Sequence, residues 1–169
     1  VGAISKRKNF LKLLEAMSLP ENKDKHLVAV SNGGDEYDKA ENFIYEKGLE
    51  ANVFFLKDLP WYELPIIYHM SQGLVYPSMY EGFGLPILEA LRCGKPVITS
   101  NISSMPEVGG DACIFIDPMN VEEISSAINF IYYNLDLAAE IKVKAMNQIQ
   151  KFNPEKMTEK MMNVYKSLK

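Results

Sequence analysis

The sequence has few cysteines, few histidines and no long apolar run. Its two cysteines, Cys93 and Cys113, are too few for a disulfide framework in 169 residues, so we expect a reducing compartment, the cytoplasm. Its two histidines, His26 and His69, have no partner at metal-ligand spacing, so we predict no metal site. No stretch approaches the roughly 20 apolar residues that a membrane-spanning helix needs. These absences exclude a protein stabilised by a disulfide framework, a protein built around a metal site and a protein that spans a membrane with helices.

The charge of the chain is low and unevenly distributed. The formal net charge of −4 argues against bulk electrostatic binding to nucleic acid. With 47% hydrophobic and 24% charged residues, the chain has the composition of a globular protein that can bury its own core. The first 25 residues nevertheless hold six basic and three acidic side chains. This local excess of positive charge predicts a binding site for an anion.

Apolar, β-branched runs alternate along the chain with stretches of helical spacing. The predicted strands are residues 26–31, 52–56, 73–78, 96–100 and 113–117, and the predicted helices are residues 9–18, 36–47, 61–70, 86–92, 121–133, 135–150 and 154–168. Because the strands are almost continuously apolar, they predict a parallel sheet with helices on both faces, a Rossmann-like α/β fold. Ligands of such sheets bind beyond the carboxyl ends of the strands, so the loops that follow the strands are the candidate sites.

We expect one domain over residues 1–169, and we expect it to be part of a longer protein. Residues 1–9 read VGAISKRKN, which is the pattern of a strand end that runs into a loop. The rest of such a strand would precede this segment.

The segment YEGFGLPILEALRCG at residues 80–94 follows the third predicted strand. Gly82 and Gly84 can adopt positive φ and let a ligand approach the backbone, while Pro86 suits the first turn of a helix that Gly94 ends. The free amides at the start of such a helix favour an anion, most naturally a phosphate. The alternative interpretation is a tight strand-to-helix turn with solvated glutamates.

Glu81 and Glu89 flank seven residues of this segment, and the pattern resembles a known motif. It is similar to the E-x7-E motif of retaining glycosyltransferases of the GT-B fold, in the large family-4 or group 1 class. Other stretches resemble the same family: residues 1–16 its first strand and basic loop, residues 51–78 its nucleotide-side segment, and residues 94–128 the segment that follows the motif. The resemblance covers nearly the whole chain.

The resemblance implies a C-terminal domain that binds the nucleotide-diphosphate sugar, the donor half of a GT-B enzyme. In the family pattern Glu81 contacts hydroxyls of the donor sugar, and Glu89 binds the ribose hydroxyls. Amides of the turn between the glutamates face the diphosphate, and the turn consists of Gly82, Phe83, Gly84 and Leu85. A basic pair, Arg7 and Lys8, neutralises the diphosphate as it leaves. Preorganised cations and helix amides suit a leaving group that gains charge.

The remaining positions are predicted more weakly. Many members of the family carry an arginine directly after the first glycine, where this chain has Ala3, and we expect Arg7 to substitute for it. Gly33 follows a predicted strand and is either part of the nucleotide pocket or a plain turn. Lys57 and Asp58 lie where members of the family contact the base of the nucleotide.

Glycoside hydrolysis is the other chemistry that uses two carboxylates. Hydrolases hold their two acids roughly 5–5.5 Å or 6.5–9.5 Å apart across one bond. Eight residues of helix span about 12 Å, although Glu81 precedes the helix. The spacing of Glu81 and Glu89 therefore favours the two ends of one nucleotide sugar.

The resemblance implies a retaining glycosyltransferase that transfers a hexose, such as mannose, from a uridine or guanosine diphosphate sugar to a saccharide or lipid-linked acceptor in polysaccharide biosynthesis. We expect no metal cofactor. The N-terminal acceptor domain lies outside this chain, so we expect the isolated chain to be inactive or nearly so, and any contact with the inner face of the membrane to belong to the full-length protein. Two alternatives stay open: an epimerase or phosphorylase of the same fold, and a non-catalytic nucleotide-binding module.

Overall fold

Five short parallel strands form the centre of the molecule. The computed structural model describes residues 1–134 and 136–168. The strands are β1 (Leu27–Val30), β2 (Val53–Leu56), β3 (Leu74–Tyr76), β4 (Val97–Ser100) and β5 (Cys113–Ile116). Each lies within a segment that the apolar runs predict, so the five strand predictions are confirmed.

The strands pair in two groups. β1 pairs with β2, with Leu27 opposite Val53, and β3, β4 and β5 pair in that order, all in parallel. β1 and β3 face each other without pairing, and a cavity of about 440 Å³ lies between them. Gly2 donates a backbone hydrogen bond to Val30, so the first residues adjoin only the carboxyl end of β1. The predicted sheet is therefore present in two parallel parts.

Helices connect the strands. They are α1 (Phe10–Met17), α2 (Tyr37–Lys47), α3 (Leu64–Met70), α4 (Leu85–Arg92), α5 (Met105–Gly109), α6 (Val121–Tyr133), α7 (Leu137–Lys151) and α8 (Pro154–Ser167), with 3-10 turns at Lys6–Lys8, Pro20–Asn22 and Gly110–Ala112. Seven of these were predicted to within three residues at each end, although the predicted start at Leu135 lies outside the described residues. α5 was predicted as part of a loop. No helix in the described ranges is both long and apolar enough to cross a membrane.

The helices pack in two groups around the strands. α1 packs with α2 and α6, whereas α4 packs with α3, α5 and α7. Leu14 of α1, Ile98 of β4, and Ile87 and Leu91 of α4 are fully buried where these layers meet. Burial of each such side chain contributes roughly 1.5–3 kcal/mol to stability. The predicted α/β Rossmann-like class is confirmed.

α4 carries the second glutamate of the motif and takes its position from its apolar face. Gly84 caps the helix with φ of 99°, a value that L side chains rarely adopt, and Pro86 occupies the first turn. Ile87 and Leu91, four residues apart, bury one face of α4 in the core. Glu89 lies between these two positions in sequence and is half-buried.

Candidate active site

The first glutamate of the motif is fixed by the strand ends and by the loop after β4. Ser103 Oγ and Ser104 Oγ each donate to the carbonyl oxygen of Glu81 at 2.9 Å, and Ser103 Oγ also accepts from the Glu81 amide at 3.2 Å. Nearer β3, Ser100 Oγ donates to the carbonyl oxygen of Ser78 at 2.6 Å. Hydrogen bonds from the loop after β4 therefore hold the backbone at Glu81, and one from the end of β4 holds it at Ser78.

The structure brings Arg7, Lys8 and Glu81 together. Arg7 Nη1 lies 2.5 Å from Glu81 Oε2, and Lys8 Nζ lies 2.8 Å from Glu81 Oε1. Tyr76 Oη donates to Glu81 Oε1 at 2.8 Å and also contacts Lys8 Nζ. Arg7 Nη1 donates in addition to the carbonyl oxygen of Tyr80 at 2.9 Å. The two predicted cations and the predicted carboxylate thus form one cluster, called here the Glu81 cluster (Arg7, Lys8, Tyr76 and Glu81).

Asn9 positions the two cations of this cluster. It adopts a left-handed conformation, φ of 57°, between the Lys6–Lys8 turn and α1. Its buried Nδ2 donates to the carbonyl oxygens of Pro77 at 3.1 Å and Pro118 at 2.7 Å, which follow β3 and β5. The basic turn is therefore tied to the carboxyl ends of two strands.

The pKa of Glu81 reflects this surrounding. Burial alone raises the pKa of the carboxyl group, but hydrogen bonds from Lys8, Tyr76 and Arg7 outweigh burial and lower it to about 2. Glu81 is therefore ionised at neutral pH, and its charge is compensated inside the protein.

The lowered pKa predicts how stability depends on pH. Because the Glu81 carboxyl titrates near 4.5 when unfolded and near 2 when folded, its contribution to stability is complete above pH 4.5 and is lost as the pH falls to about 2. We expect the free energy of unfolding of the wild type to exceed that of Glu81→Gln at neutral pH, and the difference to shrink across this window. Urea titrations at several pH values measure it. A difference that stays constant down to pH 2 would contradict the lowered pKa.

Glu89 has a separate environment. Tyr68 Oη, on α3, donates to Glu89 Oε2 at 2.9 Å. In the described part of the chain, Glu89 Oε1 has no protein partner. The two glutamates of the motif therefore contact different groups and do not form a pair, which fits the prediction that they hold different parts of one ligand.

The turn between the two glutamates is open. Gly82 and Leu85 are exposed, and a side chain at Gly82 would meet no atom within 4 Å. Among residues 1–134 and 136–168, the amide N–H groups of Gly82, Phe83, Gly84 and Leu85 have no acceptor. The Phe83 ring packs edge-on against the Phe152 ring, with the two ring centroids 5.4 Å apart, and this contact anchors the turn. Four amides are thus free at the start of α4, where an anion is favoured.

The other predicted positions lie in neighbouring loops. Asn32 Oδ1 accepts from the Asp58 amide at 2.8 Å, and Gly33 O accepts from the Ile4 amide at 2.9 Å. Lys57 Nζ lies over the Tyr37 ring, 4.5 Å from its centroid. These contacts join the loops after β1 and β2. In the described residues no direct contact links Gly33, Lys57 or Asp58 to the Glu81 cluster.

The cavity between β1 and β3 is not this site. It is lined mainly by apolar side chains of the two strands and of α1 and α6, among them Leu13, Val28, Val75 and Ile128. Lys8 and Tyr76 reach its end, but neither motif glutamate lines it. No group of three or more His, Cys, Asp or Glu side chains that could hold a metal occurs in the part of the chain that the structure describes.

Three residues of the site were missed by the sequence interpretation. Tyr68 and Tyr76 were assigned to a helix and a strand without a role, and Asn9 was assigned to the start of α1. A signal existed, because a buried tyrosine hydroxyl usually needs a hydrogen-bond partner. Tyr76 ends a strand beside the motif, where such a partner is expected.

Comparisons with known proteins identify the family of the chain. The family model "Glycosyl transferases group 1" matches residues 1–148. The chain is 36% identical over 171 aligned positions to the O-antigen chain mannosyltransferase B of Escherichia coli, a match that covers 99% of this chain and 45% of the relative. The chain therefore spans less than half the length of this curated relative.

Solved structures share the fold. Sucrose-phosphate synthase from Thermosynechococcus elongatus superposes with a TM-score of 0.86 at 26% identity, over 99% of this chain and 44% of that one. A TarM mutant of S. aureus, solved with UDP, Fondaparinux and α-GlcNAc-glycerol, superposes with a TM-score of 0.83 at 25% identity, over 97% and 35%. Since the family model matches 148 consecutive residues, most of the chain, the chain belongs to the group 1 glycosyl transferase family.

Proposed function

We propose that this chain is the donor-binding half of a retaining glycosyltransferase that moves a hexose from a nucleotide-diphosphate sugar to a saccharide or lipid-linked acceptor. The observation that carries the proposal is the Glu81 cluster beside the free amides at the start of α4. Two cations, four amides and two separated carboxylates suit a ligand with an anionic centre and a hydroxylated group at each end.

Each part of the site has a proposed role. Glu89 accepts hydrogen bonds from the ribose hydroxyls through Oε1, which is free of protein partners in the described chain. The amides from Gly82 to Leu85 bind the diphosphate. Arg7 and Lys8 turn from Glu81 to the diphosphate and stabilise its growing charge as the bond to the sugar breaks. Glu81 then binds hydroxyls of the sugar and orients it. The cations and the amides thus perform work that a divalent cation performs in other enzymes.

The weaker positions have proposed roles at the base. Lys57 and Asp58 lie in the loop after β2, and Gly33 lies in the loop after β1; the hydrogen bond between Asn32 and Asp58 joins these loops. A base that binds there would contact backbone groups of both loops. The Tyr37 ring beneath the Lys57 ammonium keeps that side chain over the loop.

The relatives support a hexose donor and a polysaccharide product. The Escherichia coli relative is an O-antigen chain mannosyltransferase, which favours mannose, and the TarM structure contains UDP. We propose a uridine or guanosine donor and a role in surface polysaccharide synthesis. The acceptor site belongs to the part of the protein beyond this chain, as does any contact with the membrane surface. Closure of the two halves would exclude water and limit hydrolysis of the donor.

Calorimetric titration of the full-length protein with UDP, GDP and their hexose conjugates tests the proposal. We expect one nucleoside diphosphate to bind, and Glu89→Ala to weaken it by about 10- to 100-fold, since hydrogen bonds to a charged group contribute about 1.5–3 kcal/mol. Glu46→Ala, at an exposed glutamate of α2, is the matched control and should change nothing.

Two outcomes would count against the proposal. If no nucleotide of the panel binds, the chain is not a donor-binding domain. If nucleotides bind but the full-length protein converts or phosphorolyses the sugar without transferring it, the enzyme is an epimerase or a phosphorylase, and product analysis separates these from a transferase.

A further inference from the structure

Each glutamate of the site accepts a hydrogen bond from the hydroxyl of a buried tyrosine, and the two tyrosines are different residues. Tyr76 ends β3 and is 3% exposed; Tyr68 lies on α3 and is 4% exposed. Tyr76 Oη bonds Glu81 Oε1 at 2.8 Å, and Tyr68 Oη bonds Glu89 Oε2 at 2.9 Å. The two contacts come from separate elements of the fold but share one chemistry.

The direction of both hydrogen bonds follows from the groups involved. An ionised carboxylate only accepts, and an ammonium only donates. Tyr76 Oη therefore accepts a hydrogen bond from Lys8 Nζ and donates one to Glu81, and Tyr68 Oη donates a hydrogen bond to Glu89. Burial, and then the neighbouring glutamate, raises the pKa of both phenols above the ordinary value, so both stay protonated donors at neutral pH.

Backbone pairing keeps the Tyr76 hydroxyl in place. Tyr76 pairs with Thr99 across the two strands, and Thr99 Oγ1 donates to the Tyr76 carbonyl oxygen at 3.0 Å. The Lys8 ammonium lies 4.5 Å from the centre of the Tyr76 ring. The phenol thus contacts the Lys8 ammonium with its ring and accepts a hydrogen bond from it, and it donates a hydrogen bond to Glu81.

We propose that Tyr76 and Tyr68 are positioning residues, one for the sugar end and one for the ribose end of the donor. This inference rests on the proposed function. When the diphosphate draws Arg7 and Lys8 away from Glu81, the Tyr76 hydroxyl remains and keeps Oε1 in place, so that Oε2 faces the sugar. The Tyr68 hydroxyl occupies Glu89 Oε2 and leaves Oε1 for the ribose.

Replacement of each tyrosine by phenylalanine in the full-length protein tests the inference, because the ring stays and only the hydroxyl is lost. We expect Tyr76→Phe to lower kcat by about 10- to 100-fold while the Kd of the nucleoside diphosphate stays within about twofold. We expect Tyr68→Phe to raise that Kd by about tenfold and to leave kcat at saturating donor nearly unchanged. Tyr45→Phe, at a tyrosine that is 77% exposed on α2, should change neither value.

The preference for a ribonucleotide over its 2′-deoxy analogue is a measurement that a merely structural effect of the substitution would not change. The wild type should bind GDP or UDP more tightly than the 2′-deoxy compound, and both Tyr68→Phe and Glu89→Ala should reduce this preference. Tyr76→Phe should keep the preference but lose the extra affinity that the attached hexose contributes.

The outcomes are distinguishable. If Glu81→Ala and Glu89→Ala change transfer and binding but the two phenylalanine variants do not, the inference is wrong and the proposed function stands. If a phenylalanine variant loses kcat and nucleotide affinity together, or its urea midpoint falls with them, the tyrosine is only structural and the inference is again wrong. If neither glutamate variant has an effect, both the function and the inference are overturned.

Discussion

Replacing Glu81 with alanine is expected to lower kcat of the full-length enzyme by about 10²–10³-fold, the usual effect of removing one preorganised electrostatic contact at a reacting centre. The nucleoside diphosphate should bind as well as before or more tightly. The reason is that Arg7 and Lys8 both pair with Glu81 in the free protein, at 2.5 and 2.8 Å, and the substitution leaves both cations available to the diphosphate.

The Glu81 prediction is checked by comparing two affinities and one rate. Titrations with the nucleoside diphosphate and with its hexose conjugate give the contribution of the sugar, which Glu81→Ala should abolish, and steady-state transfer gives kcat. Glu46→Ala serves as the matched control. If Glu81→Ala and Glu89→Ala weaken nucleoside diphosphate binding equally, the assignment of Glu81 to the sugar end is wrong.

The second large effect is expected at Lys8. Lys8→Ala should lower kcat by about 10²–10³-fold and weaken diphosphate binding, because a mostly buried cation is lost where, on the proposed function, the leaving group gains charge. Arg7→Ala should have a smaller effect. The side chain of Lys8 is 15% exposed and that of Arg7 is 47% exposed, so water screens the Arg7 charge more strongly.

A neighbouring lysine provides the control for Lys8. Lys6 belongs to the same 3-10 turn and is exposed, so Lys6→Ala removes one positive charge without touching the cluster. Its kcat should match that of the wild type. Equal losses in Lys6→Ala and Lys8→Ala would mean that the basic turn acts through its overall charge and not through the position of Lys8.

Strand and helix positions were largely predictable because the apolar pattern is strong. Runs such as residues 73–78 and 96–100 are bounded by glycine or proline, and the strands begin and end within them. α5 was missed because five residues are too few to give a helical period. Pro106 in its first turn is compatible with a helix, but serines and glycines surround it, and that composition usually indicates a loop.

The arrangement of the site was less predictable than its members. The E-x7-E spacing singled out Glu81 and Glu89 as candidates, but it contains no information about which side chains contact them. Lys8 and Glu81 lie 73 positions apart, and Tyr68 and Glu89 lie 21 apart, so only the folded chain brings them together.

The ion pairs of the Glu81 cluster also affect how a ligand arrives. Two positive side chains, Arg7 and Lys8, and two negative ones, Glu81 and Glu89, sum to a formal charge of zero in the free site, within a chain whose net charge is −4. Such a site exerts little attraction beyond the Debye length, so an anionic donor is not steered towards it from a distance. Association then depends on collision and on the exchange of ion-pair partners at short range. On the proposed function, selection of the donor takes place after encounter, when a diphosphate replaces a carboxylate as the partner of the same two cations.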